Sequence, residues 1–434
     1  MSTLRLLFRF LWIALVVSTV LPRYAFRRLR AGRIDAVERE RLRGRILAET
    51  LERLGATFVK FGQILGSRPD LLGPGYIEAL ARLQDAVPPA PFEVVERVLV
   101  EELGERRARI EHLEREPIAA ASVAQVHEGR LTSGERVAIK VQRPEARSQI
   151  ERDLAILALG ARLLDLVPSL RFLSLPGAVE RFGEALRAQL DFRIEAENNR
   201  RLGANFANVK GVRVPDLYPE LCTERVLTME LIVGVKATHP ELVKDKKARR
   251  RLAARGGEAI LKMIFEDGFV HADLHPGNIL LTEDGTMVFI DLGMVAEIPQ
   301  DLMQPWIDTF TALGKNDGRA AARLFYSYAP RVATEDYAAY ERDTVEFFNR
   351  FEGKKLGEVE VSQVLGGLMI VLRRHRIQVE PVFTVVNLGV LVAEGLGKQL
   401  DPDLDLVQMA LPYLAACAAK APPGRPPRRL PPTT

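Results

Sequence analysis

Apolar and polar positions alternate with two different periods along this chain, and the period changes mark its organisation. Ala36–Leu54 is charged and amphipathic with a helical spacing, and Tyr76–Leu83 and Phe92–Leu103 repeat that pattern. Breakers at Arg68-Pro69, Gly73-Pro74-Gly75 and Pro88–Pro91 separate these segments. From Pro117 to Val141 the spacing becomes strand-like: SVAQVHEGRL, a Thr132-Ser133-Gly134 turn, then RVAIKVQ, which predicts a hairpin. Helical spacing returns from Arg147 to Leu166 and from Ala178 to Leu202. Short strands are predicted at Val212–Val214 and Arg225–Leu231. Beyond Lys247 the chain reads as helical, apart from strands near Ile279–Leu281 and Met287–Ile290. Helices first, then a small β-rich unit with one long helix, then a helical unit with a short hairpin: this order predicts an α+β fold in two lobes.

Composition sharpens that reading. The 434 residues exceed one average domain, and 47% hydrophobic with 27% charged residues is ordinary globular composition. No uncharged apolar run of about 18 residues occurs, which argues against a multi-span membrane protein. Two cysteines, Cys222 and Cys417, exclude a disulfide scaffold and a Cys-based zinc finger and point to a reducing compartment. The net charge of +4 is unevenly spread: seven arginines and no acid precede Asp35, and four basic residues and no acid follow Ala418. The body between is therefore net −7, which argues against nucleic acid as a partner. An anionic membrane surface suits the first tail better.

The apolar run Phe10–Leu21 has 12 residues. As a helix it reaches about 18 Å, short of a hydrocarbon core of about 30 Å. Interfacial anchoring is the expectation for it, with a helix packed on the body and export or true spanning as alternatives. The closing stretch APPGRPPRRLPPTT reads as disordered.

The chemistry concentrates in His271–Asn278, HADLHPGN, followed by Ile290-Asp291-Leu292-Gly293. Asp273 and Asn278 are five apart, and Asp291 follows on the next hairpin. Phosphoryl transfer needs such a set: a carboxylate near the attacking oxygen, and an amide oxygen and a second carboxylate for magnesium. Asp273, Asn278 and Asp291 fit the protein-kinase spacing, with DLG in place of DFG. A competing reading takes His271, Asp273 and His275 as an H-x-D-x-H metallohydrolase cluster; the other histidines and cysteines supply no second spaced pair. A kinase also needs a strand lysine, and Val137-Ala138-Ile139-Lys140 provides it. Its partner is expected on the long helix, at Glu195 or, alternatively, Glu197. The stretch before that lysine, Ala119-Ala120-Ala121-Ser122, has no glycine, and no G-x-x-x-x-G-K-[ST] occurs, so this is not a P-loop NTPase.

The alanine loop, LGATFVKFGQILGSRPDLL, VAIKVQRP, DFRIEAEN, HADLHPGNI and IDLGM, in this order, resemble the UbiB family of atypical kinase-like ATPases linked to ubiquinone and related prenyl-lipid metabolism. The resemblance spans roughly residues 35–405 and implies a protein-kinase-like two-lobed fold with an N-terminal helical extension. It divides the chain into a membrane-associating segment 1–34, the extension 35–110, an N-lobe 111–232, a C-lobe 233–415 and a tail 416–434. It implies ATP and Mg2+ as cofactors, with Lys140 on the phosphates paired to Glu195, Asn278 and Asp291 on magnesium, and Asp273 orienting a nucleophile. Ala119, Ala120, Ala121 and Ser122 would cover the nucleotide. Met229 would be the gatekeeper, and backbone at Glu230 and Ile232 would hold adenine. Lys60 and Gln63, in the family's K-x-G-Q motif, would reach into the cleft and block a protein substrate. The family's E-x-D motif reads Gln189-Leu190-Asp191 here, so its glutamate is lost while Asp191 stays as the expected contact to the extension. Partners implied are quinone-biosynthesis proteins and prenyl-lipid, at the cytoplasmic face of a membrane. A nucleotide-binding pseudokinase scaffold is the alternative class.

Overall fold

The computed structural model describes residues 3–32, 34–66, 72–83, 88–167, 175–334, 336–352 and 360–431. The Arg68-Pro69 breaker lies outside them. The chain divides into two compact units: Met1–Arg68, Leu72–Asn198 and Asp216–Leu231 form the first, and Asn199–Pro215 with Ile232–Thr434 form nearly all of the second. The boundary expected at 232/233 thus falls at Leu231/Ile232, but residues 199–215 belong with the second unit.

The first unit holds a five-stranded antiparallel sheet. Ala124–Leu131 and Arg136–Gln142 are the expected hairpin, in a register that sets Lys140 opposite Val126. Arg136–Gln142 pairs on its other side with Val226–Glu230, and Ile110–Leu113 and Ala119–Ala120 both pair with Ala124–Leu131. Phe92–Leu103 covers the sheet through Val95, Val98 and Leu99, which pack with Val137, Ile139 and Val226.

Ahead of the sheet, Ala36–Leu54, Ala56–Gly66 and Pro74–Leu80 form the helical extension. Asp35 starts the first of these by accepting the Glu38 N–H at 2.8 Å, an N-cap that ties down one of the orphan donors of the first turn. The backbones of two helices then come very close: a Cβ on Gly44 would lie 2.4 Å from the Gly75 carbonyl oxygen. A Cβ on Gly75 would lie 2.7 Å from the Arg41 backbone nitrogen, so both helices need glycine at the crossing. The extension's own core is Leu51, Leu54, Phe58, Leu80 and Leu83, joined by Val16 from the N-terminal helix Thr3–Ser18.

The helix expected from Ala178 to Leu202 is two helices, Leu175–Ala188 and Phe192–Phe206. The break is at Gln189-Leu190-Asp191. Asp191 accepts the Arg193 N–H at 3.1 Å, and the Phe192 N–H goes to the distant Glu224 carbonyl at 3.0 Å, so the second helix is restarted by a cap and a non-local bond.

The second unit is mainly helical around a core that includes Phe265, Phe310, Trp306, Tyr340, Phe348 and Phe383. Its four-stranded sheet runs Val212–Arg213, Met287–Phe289, Ile279–Leu281, Val235–Lys236. A further pair, Phe269–His271 with Val295–Glu297, was not expected from the sequence. The tail expected to be disordered is held on this unit as far as Arg428: Arg425 donates to Asp301 O, Tyr328 O and Glu380 Oε1 at 2.8–2.9 Å, and the Arg428 N–H donates to Ser327 O at 3.0 Å. Two arginines with several acceptors outweigh the Pro-rich composition.

Candidate active site

In the first unit the key lysine sits in a strand whose alternation buries Val137, Ile139 and Val141. That puts Lys140 on the opposite face, where its Nζ lies 2.9 and 2.8 Å from the two Glu195 carboxylate oxygens. Glu195, the first of the two expected positions, is in the first turn of Phe192–Phe206 and makes this pair. The pair is well enclosed, with side-chain exposures of 15% for Lys140 and 6% for Glu195, and the ammonium lies 5.4 Å from the Phe192 ring centre. Restarting the helix at Phe192 is what brings Glu195 to the strand.

The alanine loop turns tightly without glycine. The Ala121 N–H donates to the Ala124 carbonyl at 2.8 Å, and no residue from Ala119 to Ala124 has a positive φ. Directly after it, Gln125 accepts the Ala90 N–H at 2.7 Å and donates to His127 Nε2 at 2.8 Å. The other imidazole nitrogen, Nδ1, is 2.8 Å from the Glu114 carbonyl. His127 is therefore a Nδ1–H tautomer with both nitrogens engaged, and its burial holds its pKa below the ordinary histidine value.

Lys60 lines a narrow cleft together with Ser122 and Val123 of that loop and Gln149. Gln63 does not follow it there. Its Nε2 donates to the Leu83 carbonyl at 3.2 Å, which spends the amide inside the extension. Phe61 between them meets Phe182 edge-on at 5.0 Å, and Gly62 lets Leu83 and Leu51 pack against the helix. Asp191 likewise makes a different contact from the one expected: its carboxylate is bidentate to Arg193 at 2.8 and 2.7 Å, which lowers its pKa. Gln189 Nε2, at the position of the family's glutamate, is buried with no hydrogen-bond partner. Met229 pairs with Ala138 across the sheet, and the Glu230 N–H is committed to the Asp216 carbonyl at 2.8 Å. The chain leaves the first unit immediately afterwards, at Ile232.

The second unit carries the carboxylates. His271 closes the short strand Phe269–His271, is fully buried, which pushes its pKa below the ordinary histidine value, and accepts the Asp273 N–H on Nδ1 at 3.2 Å. It thereby fixes the backbone at Asp273. Asn278 donates its Nδ2 to the Asp273 carbonyl at 3.1 Å, which turns its Oδ1 the other way. The Ile290 N–H donates to the Asn278 carbonyl at 2.9 Å, so the strand leading to Asp291 is tied to the same loop. Asp291 has φ 59°, one of three non-glycine residues with positive φ among those described. Such strain collects at functional sites, and Asp and Asn tolerate it best. Leu292 anchors the turn in the core and the Gly293 N–H reaches Asp291 Oδ1 at 3.4 Å.

The residues suit magnesium. A carboxylate and an amide oxygen are hard donors, and Mg2+ commonly takes one or two protein oxygens and completes its shell with phosphate and water. They do not suit the metallohydrolase alternative. His271 and His275 each accept a backbone N–H on Nδ1, and among the described residues no three His, Cys, Asp or Glu side chains gather as a metal site.

Comparison with known proteins matches these two units to one family. The ABC1 atypical kinase-like domain covers residues 82–325 and the UbiB helical domain covers residues 345–405. The chain belongs to the UbiB family of atypical kinase-like proteins. A relative in Pseudomonas aeruginosa named "Probable protein kinase UbiB" is 36% identical over 416 residues, which is 93% of this chain and 75% of the relative. One of the same name in Aeromonas salmonicida is 35% identical over 383 residues, 86% of this chain and 70% of the relative. The solved structure of Rv3197 from Mycobacterium tuberculosis, in complex with erythromycin, shares the fold with a TM-score of 0.52 at 23% identity, covering 79% of this chain and 91% of that one.

The sequence reading did not anticipate an apolar cavity inside the second unit, lined by Phe265, Phe310, Leu365, Val390, Leu406 and Leu414 among others. Its lining residues are scattered over about 150 positions, so no local pattern announces it.

Proposed function

We propose that this UbiB protein binds ATP with magnesium and hydrolyses it, or transfers its phosphoryl group to a small or lipid-like acceptor, in support of isoprenoid quinone or related prenyl-lipid metabolism. The observation that carries the reading is the second unit's loop, where His271 and Asn278 fix the Asp273 backbone from both sides and Asp291 is held at φ 59°. Asn278 and Asp291 hold the magnesium, which neutralises phosphate charge when bound. Asp273 orients the attacking oxygen. Lys140, kept extended by Glu195, meets the α and β phosphates, with Ala119, Ala120, Ala121 and Ser122 over them. Adenine rests against the strand at Met229 and Glu230 and the link at Ile232. The apolar cavity of the second unit has the chemistry to take an isoprenoid tail. The arginine-rich, acid-free first segment supports work at the cytoplasmic face of an anionic membrane, beside quinone-pathway proteins.

Asp291→Asn tests this reading, because asparagine accepts a positive φ and the fold should survive. Mg-ATP should raise the melting temperature of the wild type and leave the variant unmoved, and single-turnover ATP hydrolysis should be seen only in the wild type. Equal stabilisation of both proteins would show that the site has been misassigned. A second reading, a nucleotide-binding scaffold, draws on the tight alanine turn and on Lys60 lying beside it. Nucleotide binding without single-turnover hydrolysis would favour it.

A further inference from the structure

The N-terminal helix is fastened to the first unit by one face. Arg9 Nε and Nη2 meet the Asp153 carboxylate at 2.6 and 2.9 Å, and Nη2 also reaches the Leu54 carbonyl at 2.6 Å. Asp153 is completely buried. One and two turns on, Ile13 and Val16 join the extension's core beside Leu157, which is one turn beyond Asp153 on the helix Ala146–Asp165. The two helices are thus joined by an ion pair and share one apolar cluster. Lower down, Glu49 takes both Arg23 and Arg27 from the following helix Val20–Arg30.

The other face is bare. Phe8, Leu11, Trp12 and Leu15, at helical spacing, are 45–64% exposed. The Ala146–Asp165 helix adds a second bare stripe at its end: Leu159, Leu163, Leu166 and Val167, at i, i+4, i+7 and i+8, are 43–69% exposed. By length and composition Leu7–Arg30 is apolar enough to cross a membrane. A helix clamped through a buried ion pair near its start cannot do so without first giving up that pair.

We propose, building on the membrane role in the preceding section, that these two stripes form one bilayer-binding face, with the N-terminal helix laid flat on the protein by the Arg9–Asp153 clasp. A bilayer is the occupant because exposed Phe8 and Trp12, and Phe26 on the following helix, stand among exposed leucines, and exposed Arg30 and half-buried Arg28 follow with no acid in the first 34 residues. Aromatic and aliphatic groups beside arginines are the signature of an interfacial helix on anionic lipid.

Flotation of the full chain with phosphatidylcholine vesicles, with and without 30% phosphatidylglycerol (about one lipid in three, enough for an anionic surface), tests the face. The triple variant Leu159→Ser, Leu163→Ser, Leu166→Ser should bind anionic vesicles more weakly by on the order of tenfold or more, since three aliphatic side chains leave the acyl region. Its thermal stability and its Mg-ATP shift should stay as in wild type. Flotation equal to wild type would overturn the composite face and leave the membrane role standing. No flotation of wild type at all would instead remove the membrane role. A wild-type dimer without lipid that the triple variant turns into a monomer would make the face a self-association surface, against the proposal. Asp153→Ala tests the clasp: hydrogen exchange across 7–18 should speed up severalfold, and unchanged protection there would refute it.

Discussion

Replacing Lys140 and Glu195 singly and together measures how the first unit holds an enclosed ion pair. The ammonium lies 2.8–2.9 Å from both carboxylate oxygens, and both side chains are largely out of water. Coulomb attraction between unit charges at that distance is about 6 kcal/mol at an effective dielectric of 20. Desolvation takes back a large share, so the net coupling should be about 2–4 kcal/mol. Lys140→Met removes the ammonium from a Glu195 side chain that is only 6% exposed and should cost about 3 kcal/mol. Glu195→Leu leaves a lysine that can still lean on the Phe192 ring, and should cost somewhat less.

The double variant Lys140→Met, Glu195→Leu removes both charges and adds apolar volume. It should be more stable than Lys140→Met alone. At about 2–4 °C per kcal/mol for units of this size, the single lysine variant should melt about 6–12 °C lower, and the double variant should recover several degrees. Urea and thermal unfolding of the four proteins supply the cycle. All three variants should also lose the Mg-ATP stabilisation, worth about 2.7 kcal/mol at a hundredfold excess over Kd. If the single effects add to within about 0.5 kcal/mol, the two groups are not coupled and the pairing argument is wrong.

Two further outcomes follow from other contacts. A Cβ on Gly62 would lie 2.4 Å from Leu83 Cδ1 and 2.7 Å from Leu51 Cδ1, so Gly62→Ala should lose about 1–3 kcal/mol in urea unfolding; wild-type stability would show that the extension's helices are not packed as described. Burial depresses the folded pKa of His127, so native protein resists a proton that the unfolded chain accepts below about pH 6.5. His127 therefore leaves stability untouched above that pH and erodes it as pH falls, by at most about 1.4 kcal/mol per pH unit. Urea titrations at pH 7.5, 6.5 and 5.5 should show that slope shrink in His127→Asn; an unchanged slope would place the acid sensitivity elsewhere.

Much of the candidate site could be picked out because its residues are written in local spacing. Asp273, Asn278 and Asp291 fall within nineteen residues, and the Lys140 strand shows its alternation openly. The pieces that were misread have several causes. The helix break at Gln189-Leu190-Asp191 rests on a bond from Phe192 to Glu224, so helical spacing on both sides hid it. Phe269–His271 and Val295–Glu297 are three residues each, too short for a period of two to declare itself. Gln63 and Asp191 were placed by resemblance alone, and their nearest acceptor and donor, Leu83 O and Arg193, took them first.

Arg9 makes the same point for the membrane segment. In the sequence it interrupts an apolar stretch and reads as a residue that must snorkel to water. In the fold its partner is 144 positions away, and that partner has no other route to solvent. An arginine that would weaken a spanning helix thus becomes the fixed point of a helix lying along the protein. The residues that would have faced lipid on all sides are sorted into a face that touches the extension and a face that does not. On the bilayer-face proposal, what separates anchor from span is a single buried carboxylate on another helix, and no hydropathy profile of the first 30 residues contains it.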